Sequence, residues 1–236
     1  ASGGSAGNTV AAIGSLGGQG AFFGKVCDDT LGRFYRHDMR AMGMTFDTPP
    51  LPPGATPTAR SMILITPDGE RTMNTYLGAC VELGPDDIDE KIVAGSAIAY
   101  FEGYLWDPPM AKDAFRKAAD ISHAHGRKVS ITLSDSFCVD RWREEFLNLI
   151  KDGSVDILLA NDAEIKALYQ TADLDTALKS IQADCPLTAV THSEKGCHVV
   201  SSVGIVSVPT TPVERLIDTT GAGDMFAAGF LYGEHI

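Results

Sequence analysis

The segment Val155-Asp156-Ile157-Leu158-Leu159-Ala160 is short and almost continuously apolar. A run of this kind is typical of a strand that is buried on both faces of a parallel sheet. Similar runs lie before and after it in the chain, and stretches with helical periodicity separate them. The predicted strands are 97–101, 128–133, 155–160 and 187–191, and the predicted helices are 110–124, 141–150, 162–170 and 174–183. This alternation predicts a three-layer, doubly wound α/β fold with a mainly parallel sheet between its helices.

The chain before residue 90 follows a less regular pattern. Gly3 to Asn8 open a predicted helix that ends at Gly17-Gly18, and Ala21 to Val26 has the composition of a strand. Two further strands, 59–66 and 71–77, flank the turn-forming residues Pro67-Asp68-Gly69-Glu70. This pattern predicts a β-hairpin. We expect the hairpin, at about 58–80, to form a small separate sheet that serves as a lid.

Composition and charge exclude several classes of function. The chain has 236 residues and 19 lysines and arginines against 31 aspartates and glutamates, a formal net charge of −12. This balance argues against a nucleic-acid partner and against an anionic membrane surface. No apolar run is long enough to span a membrane. The five cysteines are scattered without metal-binding spacing, which favours free thiols and a cytoplasmic location.

The two ends of the chain give a further expectation. The sequence begins at Ala1 without an initiator methionine and stops four residues after Tyr232. We therefore expect a single domain over residues 1–236 from which N-terminal and C-terminal parts are missing.

The stretch Asp218-Thr219-Thr220-Gly221-Ala222-Gly223-Asp224 leads into an apolar segment that is typical of a buried helix. Glycines at a helix entrance leave backbone amides open to a ligand, and the helix dipole favours an anion there. Asp224 would stand beside that anion as a proton acceptor, an arrangement that suggests phosphoryl transfer onto a hydroxyl. The same residues also fit a tight loop followed by an acidic first turn, which is favourable on electrostatic grounds alone.

Three other stretches have both a functional and a structural interpretation. Ligands of parallel sheets bind at the carboxyl ends of strands, and Asn161 and Glu164 follow one predicted strand. They suit a hydrated Mg²⁺ and equally suit a capping box. Thr191 to Gly196 follows the next strand and fits either a loop for phosphate and ribose oxygens or a polar hairpin turn. Gly3 to Asn8 is either a ligand contact or an ordinary glycine-rich helix entrance.

Taken together, these motifs resemble those of the ribokinase (PfkB) family of carbohydrate and nucleoside kinases. Gly3-Gly4-Ser5-Ala6-Gly7-Asn8-Thr9 resembles the N-terminal signature, and Asp218 to Asp224 resembles the highly specific C-terminal one. Asn161-x-x-Glu164 is similar to the metal motif of the family, and Thr191 to Gly196 to its nucleotide loop. Leu133 to Phe137 most resembles adenosine-kinase-like members. One departure is Cys27, which stands where glycine is usual.

The resemblance implies ATP-dependent transfer of the γ-phosphate to a primary hydroxyl of a nucleoside or sugar, with an adenosine-like substrate favoured. The roles that it implies are Asp224 as general base, Gly221, Ala222 and Gly223 as an anion hole, Gly4 and Asn8 as sugar contacts, Thr191 and Gly196 as ATP contacts, Asn161 and Glu164 as Mg²⁺ ligands, and Asp218 and Thr220 as contacts of a monovalent cation such as K⁺. It also implies a homodimer through the lid.

Two alternatives remain open. A sugar kinase acting on ribose, fructose or a keto-deoxy sugar acid fits the same motifs, and Arg60 is the candidate partner for an acidic sugar. The other alternative is a catalytically silent regulator that binds a nucleotide or sugar, against which the intact Asp224 and Gly221-Ala222-Gly223 count.

Overall fold

The computed structural model describes residues 2–66, 71–212 and 219–235, which form two compact units. The first unit comprises residues up to 89 together with 219–235, and the second comprises 90–212. The first unit contains α1 (Ser5–Ser15), α2 (Thr30–Ala41), β1 (Arg60–Ile65), β2 (Arg71–Tyr76) and α8 (Ala222–His235). The second contains α3 (Glu90–Gly95), β3 (Ile98–Glu102), α4 (Pro109–Ala124), β4 (Lys128–Thr132), α5 (Ser136–Lys151), β5 (Ile157–Asn161), α6 (Asp162–Leu168), α7 (Leu174–Asp184), β6 (Leu187–Thr191), β7 (Cys197–Ser201) and β8 (Gly204–Val208).

The second unit is built on one six-stranded sheet in the order β3-β4-β5-β6-β7-β8. The first four strands are parallel, and β7 and β8 continue the sheet in antiparallel fashion. β4, β5 and β6 are buried at their centres, where most residues are Ile, Leu, Val or Ala, as the apolar runs predicted, and β3 at the edge of the sheet is partly buried. The prediction of an α/β fold with a central, mainly parallel sheet is therefore confirmed.

Buried aromatic rings join β3 to the helices that follow it. Trp106 is fully buried and packs edge-on against Phe115 and obliquely against Phe146. Its indole Nε1 donates a hydrogen bond of 2.8 Å to Glu145, which also pairs with Lys112 at 2.9 Å. The polar end of the indole is thus satisfied inside an apolar cluster, which holds the carboxyl end of β3 in place.

The first unit contains the predicted hairpin and a pair of packed helices. β1 and β2 pair antiparallel from Arg60 opposite Tyr76 to Ile65 opposite Arg71. This small antiparallel sheet is the second feature of the fold that the sequence predicted correctly. The turn at 67–70 lies outside the described residues. The expectation of one domain with an inserted lid stays a prediction.

The predicted strand from Ala21 to Val26 is wrong. The structure has two isolated parallel bridges there, one from Ala21 to Thr45 and one from Cys27 to Leu51. The segment that faces it contains Pro49-Pro50, and prolines lack the N–H group that a continuous ladder requires.

Cys27 replaces the usual glycine without strain. Its side chain is buried, and it does not belong to the non-glycine residues with a positive φ. The backbone amide of Cys27 donates to the Thr58 hydroxyl at 3.0 Å. A side chain is therefore compatible with the backbone at this turn.

Within the part of the chain that the structure describes, no helix combines the length and apolar character needed to cross a bilayer.

Candidate active site

The glycine-rich N-terminal motif forms the entrance of α1. Gly4 is the N-cap residue with a φ of 103°, and its carbonyl accepts a hydrogen bond of 2.8 Å from the Asn8 amide. A positive φ of this size favours glycine, and in the described part of the chain no atom beyond its sequence neighbours lies within 4 Å of the place where a Cβ would stand. The space beside Gly4 is therefore open, as a sugar contact would require.

The C-terminal motif forms the entrance of α8. Gly221 has a φ of 73°, and its carbonyl accepts from the Met225 amide at 2.8 Å. The Ala222 amide donates to the Thr219 carbonyl at 3.1 Å. Among the described residues, the amides of Gly221, Gly223 and Asp224 have no hydrogen-bond acceptor. The donors left for an anion at this helix start are thus these three amides, while that of Ala222 is engaged.

Asn8 and Asp224, which are 216 positions apart, meet where α1 packs against α8. The Asn8 side chain donates from Nδ2 to Oδ2 of Asp224 at 2.8 Å. Both side chains are partly exposed, so the pair is accessible. The structure therefore brings together the predicted sugar contact and the predicted general base.

Asn161 and Thr191 occupy one edge of the sheet in the second unit. They face each other in the register of β5 and β6, at the carboxyl ends of both strands. Asn161 caps α6: its Oδ1 accepts from the Glu164 amide at 2.8 Å, and Glu164 accepts from the Asn161 amide at 2.9 Å. The capping box is thus present, and the metal role of these two residues stays a prediction.

Glu164 is an acidic group in a buried position. Burial, with a smaller contribution from the negative charges of Asp135 and Glu102, raises the pKa of this carboxyl to about 7. The hydrogen bond from the Asn161 backbone amide acts in the opposite direction. Carboxylate oxygens are the ligands that a hard cation such as Mg²⁺ prefers, and a cation would relieve the electrostatic repulsion that raises this pKa. The donor set therefore fits Mg²⁺. Within the described ranges there is no group of three or more His, Cys, Asp and Glu side chains arranged around a common metal position.

Glu102 and Ser134 were missed by the sequence analysis. Glu102 ends β3, is 7% exposed, and accepts a hydrogen bond of 3.2 Å from the Ser134 hydroxyl. Ser134 has a φ of 70°, which is uncommon for a residue other than glycine. The available signal was position alone, since both residues follow predicted strands. Asp135 is the N-cap of α5, and its side chain accepts a hydrogen bond of 2.6 Å from the Cys138 amide.

The segment from Thr191 to Gly196 is a tight connection between β6 and β7. Gly196 has a φ of 98°, and a Cβ there would lie 2.0 Å from the Val208 carbonyl oxygen. The His192 amide donates to the Gly196 carbonyl at 2.7 Å. The polar hairpin turn is therefore present, and its glycine is required by packing. Its contact with ATP stays a prediction.

The remaining predicted residues are less informative. Asp218 lies outside the described residues. Thr220 precedes the α8 entrance and is exposed. The Arg60 guanidinium lies over the ring of Tyr76, 5.2 Å from its centroid, so it is already engaged within the hairpin.

The motifs and the geometry agree with a comparison against known families. The family described as pfkB family carbohydrate kinase matches residues 1–234. The chain belongs to this family. Its members are phosphotransferases, so the protein is a kinase of the carbohydrate and nucleoside class.

Two solved structures are similar to this chain at high identity. The adenosine kinase from Sinorhizobium meliloti is 60% identical, with a TM-score of 0.96, over 99% of this chain and 71% of that one. A protein from Rhizobium etli described as a probable sugar kinase is 56% identical, with a TM-score of 0.95, over 99% of this chain and 71% of that one. Among curated proteins, an ATP-dependent ribose-1-phosphate kinase from Halopiger xanaduensis is 29% identical over 97% of this chain and 72% of its own length.

Proposed function

We propose that this kinase transfers the γ-phosphate of ATP to the primary hydroxyl of a nucleoside, with an adenosine-like substrate favoured. The observation that carries the proposal is the start of α8, where Asp224 lies in the first turn and, among the described residues, the amides of Gly223 and Asp224 have no hydrogen-bond acceptor. The preference for a nucleoside rests on the 60% identity with an adenosine kinase.

Asp224 is the general base in this proposal. Its carboxylate takes the proton of the substrate hydroxyl as the hydroxyl oxygen attacks the γ-phosphorus. The bond between the γ-phosphorus and the bridging oxygen breaks, and ADP leaves with the electron pair. General-base assistance of this kind contributes on the order of 10²–10⁴-fold to a rate.

The backbone at the start of α8 stabilises the transferring phosphate. Amide donors and the helix dipole favour negative charge at this end, and they are fixed before the reaction begins. The glycines of Gly221-Ala222-Gly223 allow a close approach of the phosphate to the backbone. The proposed anion hole therefore uses the amides of Gly221 and Gly223, with that of Asp224 in place of the engaged Ala222 amide.

Asn161 and Glu164 are the proposed Mg²⁺ ligands, directly or through water. A bound Mg²⁺ would neutralise phosphate charge and orient the phosphates. Thr191 and Gly196 are the proposed ATP contacts, and Gly4 is a proposed sugar contact. Thr220, together with Asp218, is the proposed position of a monovalent cation such as K⁺.

The hairpin of β1 and β2 is the proposed lid and homodimer surface. Both of its faces carry exposed apolar side chains. These are Met62, Ile63, Leu64, Ile65, Met73 and Tyr76. A two-stranded sheet is only marginally stable alone. Packing against the same hairpin of a second copy would bury these apolar side chains and stabilise both sheets.

All five cysteines are free thiols, which fits a reducing, cytoplasmic location.

The test is a screen of ADP release with adenosine, other nucleosides, ribose and fructose as acceptors, with Asp224→Asn as the blank. We expect the highest kcat/KM with adenosine and a loss of about 10²–10⁴-fold in kcat for the variant, with ATP binding retained. Near-normal turnover by Asp224→Asn would contradict the assignment of the base.

The second candidate function is a sugar kinase. It is favoured by the 56% identity with a protein described as a probable sugar kinase. The same screen separates the two, because a sugar kinase would prefer ribose or fructose over every nucleoside.

A further inference from the structure

The hydrogen bond between Asn8 and Asp224 carries an inference beyond the roles that the family resemblance implies. Asn8 is in the first turns of α1, and its backbone amide is already bonded to Gly4 at 2.8 Å. Its side-chain Nδ2 donates to Oδ2 of Asp224 at 2.8 Å. The backbone of α1 therefore holds the Asn8 side-chain N–H group beside the Asp224 carboxylate.

Asp224 has few other restraints. Among the described residues, Asn8 is the one hydrogen-bond donor to its carboxylate. Gly221 leaves the pair open on one side, since a Cβ there would stand 3.6 Å from Oδ2 and 3.9 Å from Nδ2 of Asn8. A carboxylate with one donor and open space beside it would rotate freely if that donor were removed.

We infer that Asn8 is a positioning residue for Asp224. Its N–H group fixes Oδ2 and leaves Oδ1 to accept the proton of the substrate hydroxyl. The Asn8 amide stays neutral and takes no proton itself. The inference rests on the proposed function, in which Asp224 is the base, and it gives Asn8 this role in place of the sugar contact that the family resemblance implies.

The first test is the separation of kcat from KM in Asn8→Ala. We expect kcat to fall roughly ten- to hundred-fold, since a small misplacement of a reacting group has effects of this size. KM for the nucleoside should stay within about threefold, because the ground-state contacts of the sugar are retained. The matched control is Ser15→Ala, whose hydroxyl bonds only its own helix at Ala11. A raised KM with unchanged kcat would show that Asn8 holds the sugar instead.

The second test is a double-mutant cycle with Asp224→Asn. If Asn8 acts through Asp224, then Asn8→Ala lowers kcat in the native background and has no further effect in the Asp224→Asn background. Single-turnover measurements with excess enzyme give the residual rates. Equal losses in both backgrounds would overturn the inference.

The third test does not depend on turnover. A crystal structure of Asn8→Ala should show the Asp224 carboxylate in a new rotamer or in more than one, with the backbone of α8 unchanged. A single, unaltered orientation would overturn the inference. If the native enzyme releases no ADP with any acceptor, the proposed function fails, and the orientation of Asp224 still decides whether Asn8 positions it.

Discussion

At the level of single residues, Gly7 in the N-terminal signature is required by a neighbour in the same fold. A Cβ at this position would lie 2.4 Å from the Tyr35 hydroxyl oxygen. The Tyr35 ring packs against Phe22 and Phe46, at centroid distances of 5.8 and 5.9 Å, so it cannot swing away easily. This glycine of the motif therefore serves packing, while Gly4 and Asn8 face open space and the site.

We expect Gly7→Ala to lower the free energy of unfolding by about 1–3 kcal/mol, the usual effect of overpacking. Urea denaturation of the purified protein measures it. The matched background is Tyr35→Phe, which removes the clashing oxygen and leaves the ring carbon at an ordinary 3.5 Å. In that background the glycine substitution should have little effect. Equal destabilisation in both backgrounds would assign another role to Gly7.

Glu164 makes the stability of the metal-free protein depend on pH. Burial raises the pKa of its carboxyl from 4.5 to about 7. The native state therefore binds more protons than the unfolded chain between these values, and stability falls as the pH rises through this range. The loss is on the order of 3 kcal/mol at roughly 1.36 kcal/mol per pKa unit.

We expect the midpoint of urea unfolding, measured with a chelator present, to fall between pH 5 and pH 8. Glu164→Gln should flatten this decline, because glutamine does not ionise and still suits a capping box. Added Mg²⁺ should stabilise the native protein more at pH 8 than at pH 5.5. A decline that is equally steep in Glu164→Gln would place its cause at another group.

At the level of elements, the sequence predicts the second unit well because its strands are buried. Runs such as Ile157–Asn161 are apolar on both faces, so their composition alone marks them. The predicted helix from 141 covers only the later part of α5, which begins at Ser136 and is interrupted by a non-helical backbone at Trp142 (φ −123°, ψ 17°). The sequence does not predict β7 and β8 individually, because β7 is only partly buried, β8 is largely exposed, and neither has a continuous apolar run.

Spacing along the chain cannot predict which side chains of the candidate site touch. The contact of Asn8 with Asp224 depends on how α1 packs against α8, and the contact of Ser134 with Glu102 depends on the register of β3 and β4. The resemblance to a family implies two separate roles for the first pair, a sugar contact for Asn8 and a general base for Asp224. The hydrogen bond between them is a result of the structure.

The base of the hairpin is held by a network around Thr58. Asp29 accepts hydrogen bonds from the Thr58 amide at 2.9 Å and from its hydroxyl at 2.8 Å, and it also caps α2. The Thr58 hydroxyl accepts in turn from the Cys27 amide at 3.0 Å. Gly78, which follows β2 at the same end of the hairpin, lies so close to the Pro57 carbonyl that a Cβ would be 2.2 Å away. The two ends of the hairpin are therefore fixed to the rest of the first unit.

We expect Thr58→Val to lower the free energy of unfolding by about 1–3 kcal/mol. The two side chains have the same shape, but valine leaves the buried Cys27 amide without its acceptor. The control is Ser61→Ala, which removes an exposed hydroxyl that bonds Thr75 on the same hairpin and should change stability by less than about 0.5 kcal/mol. Equal effects of the two substitutions, in urea or thermal unfolding, would show that the hydrogen bonds of Thr58 stabilise the protein no more than an exposed pair within the hairpin does.

At the level of the whole molecule, charge and apolar surface oppose each other in self-association. The net charge of −12 follows from 31 acidic and 19 basic side chains, so two copies repel at low salt. This repulsion is screened over a Debye length of about 10 Å at 0.1 M salt. The exposed apolar side chains of the hairpin favour association and are much less sensitive to salt.

We expect the protein to be a dimer whose fraction rises as NaCl is increased from 20 to 300 mM. Sedimentation velocity at a fixed protein concentration measures this fraction. Leu64→Lys combined with Ile65→Lys places a charge on each face of the hairpin, because neighbouring residues of a strand point to opposite faces. The double variant should be monomeric at every salt concentration, whichever face is buried.

The control for this prediction is Val203→Lys, which adds a charge at an apolar side chain that is 95% exposed and lies between β7 and β8. If the hairpin forms the interface, this variant stays dimeric and only its salt dependence shifts slightly. If the hairpin variant stays dimeric while Val203→Lys becomes monomeric, the second unit forms the interface. If the native protein is a monomer at every salt concentration, the proposed dimer surface is wrong. The proposed lid is unaffected by that outcome, because closure over a substrate does not require a second copy.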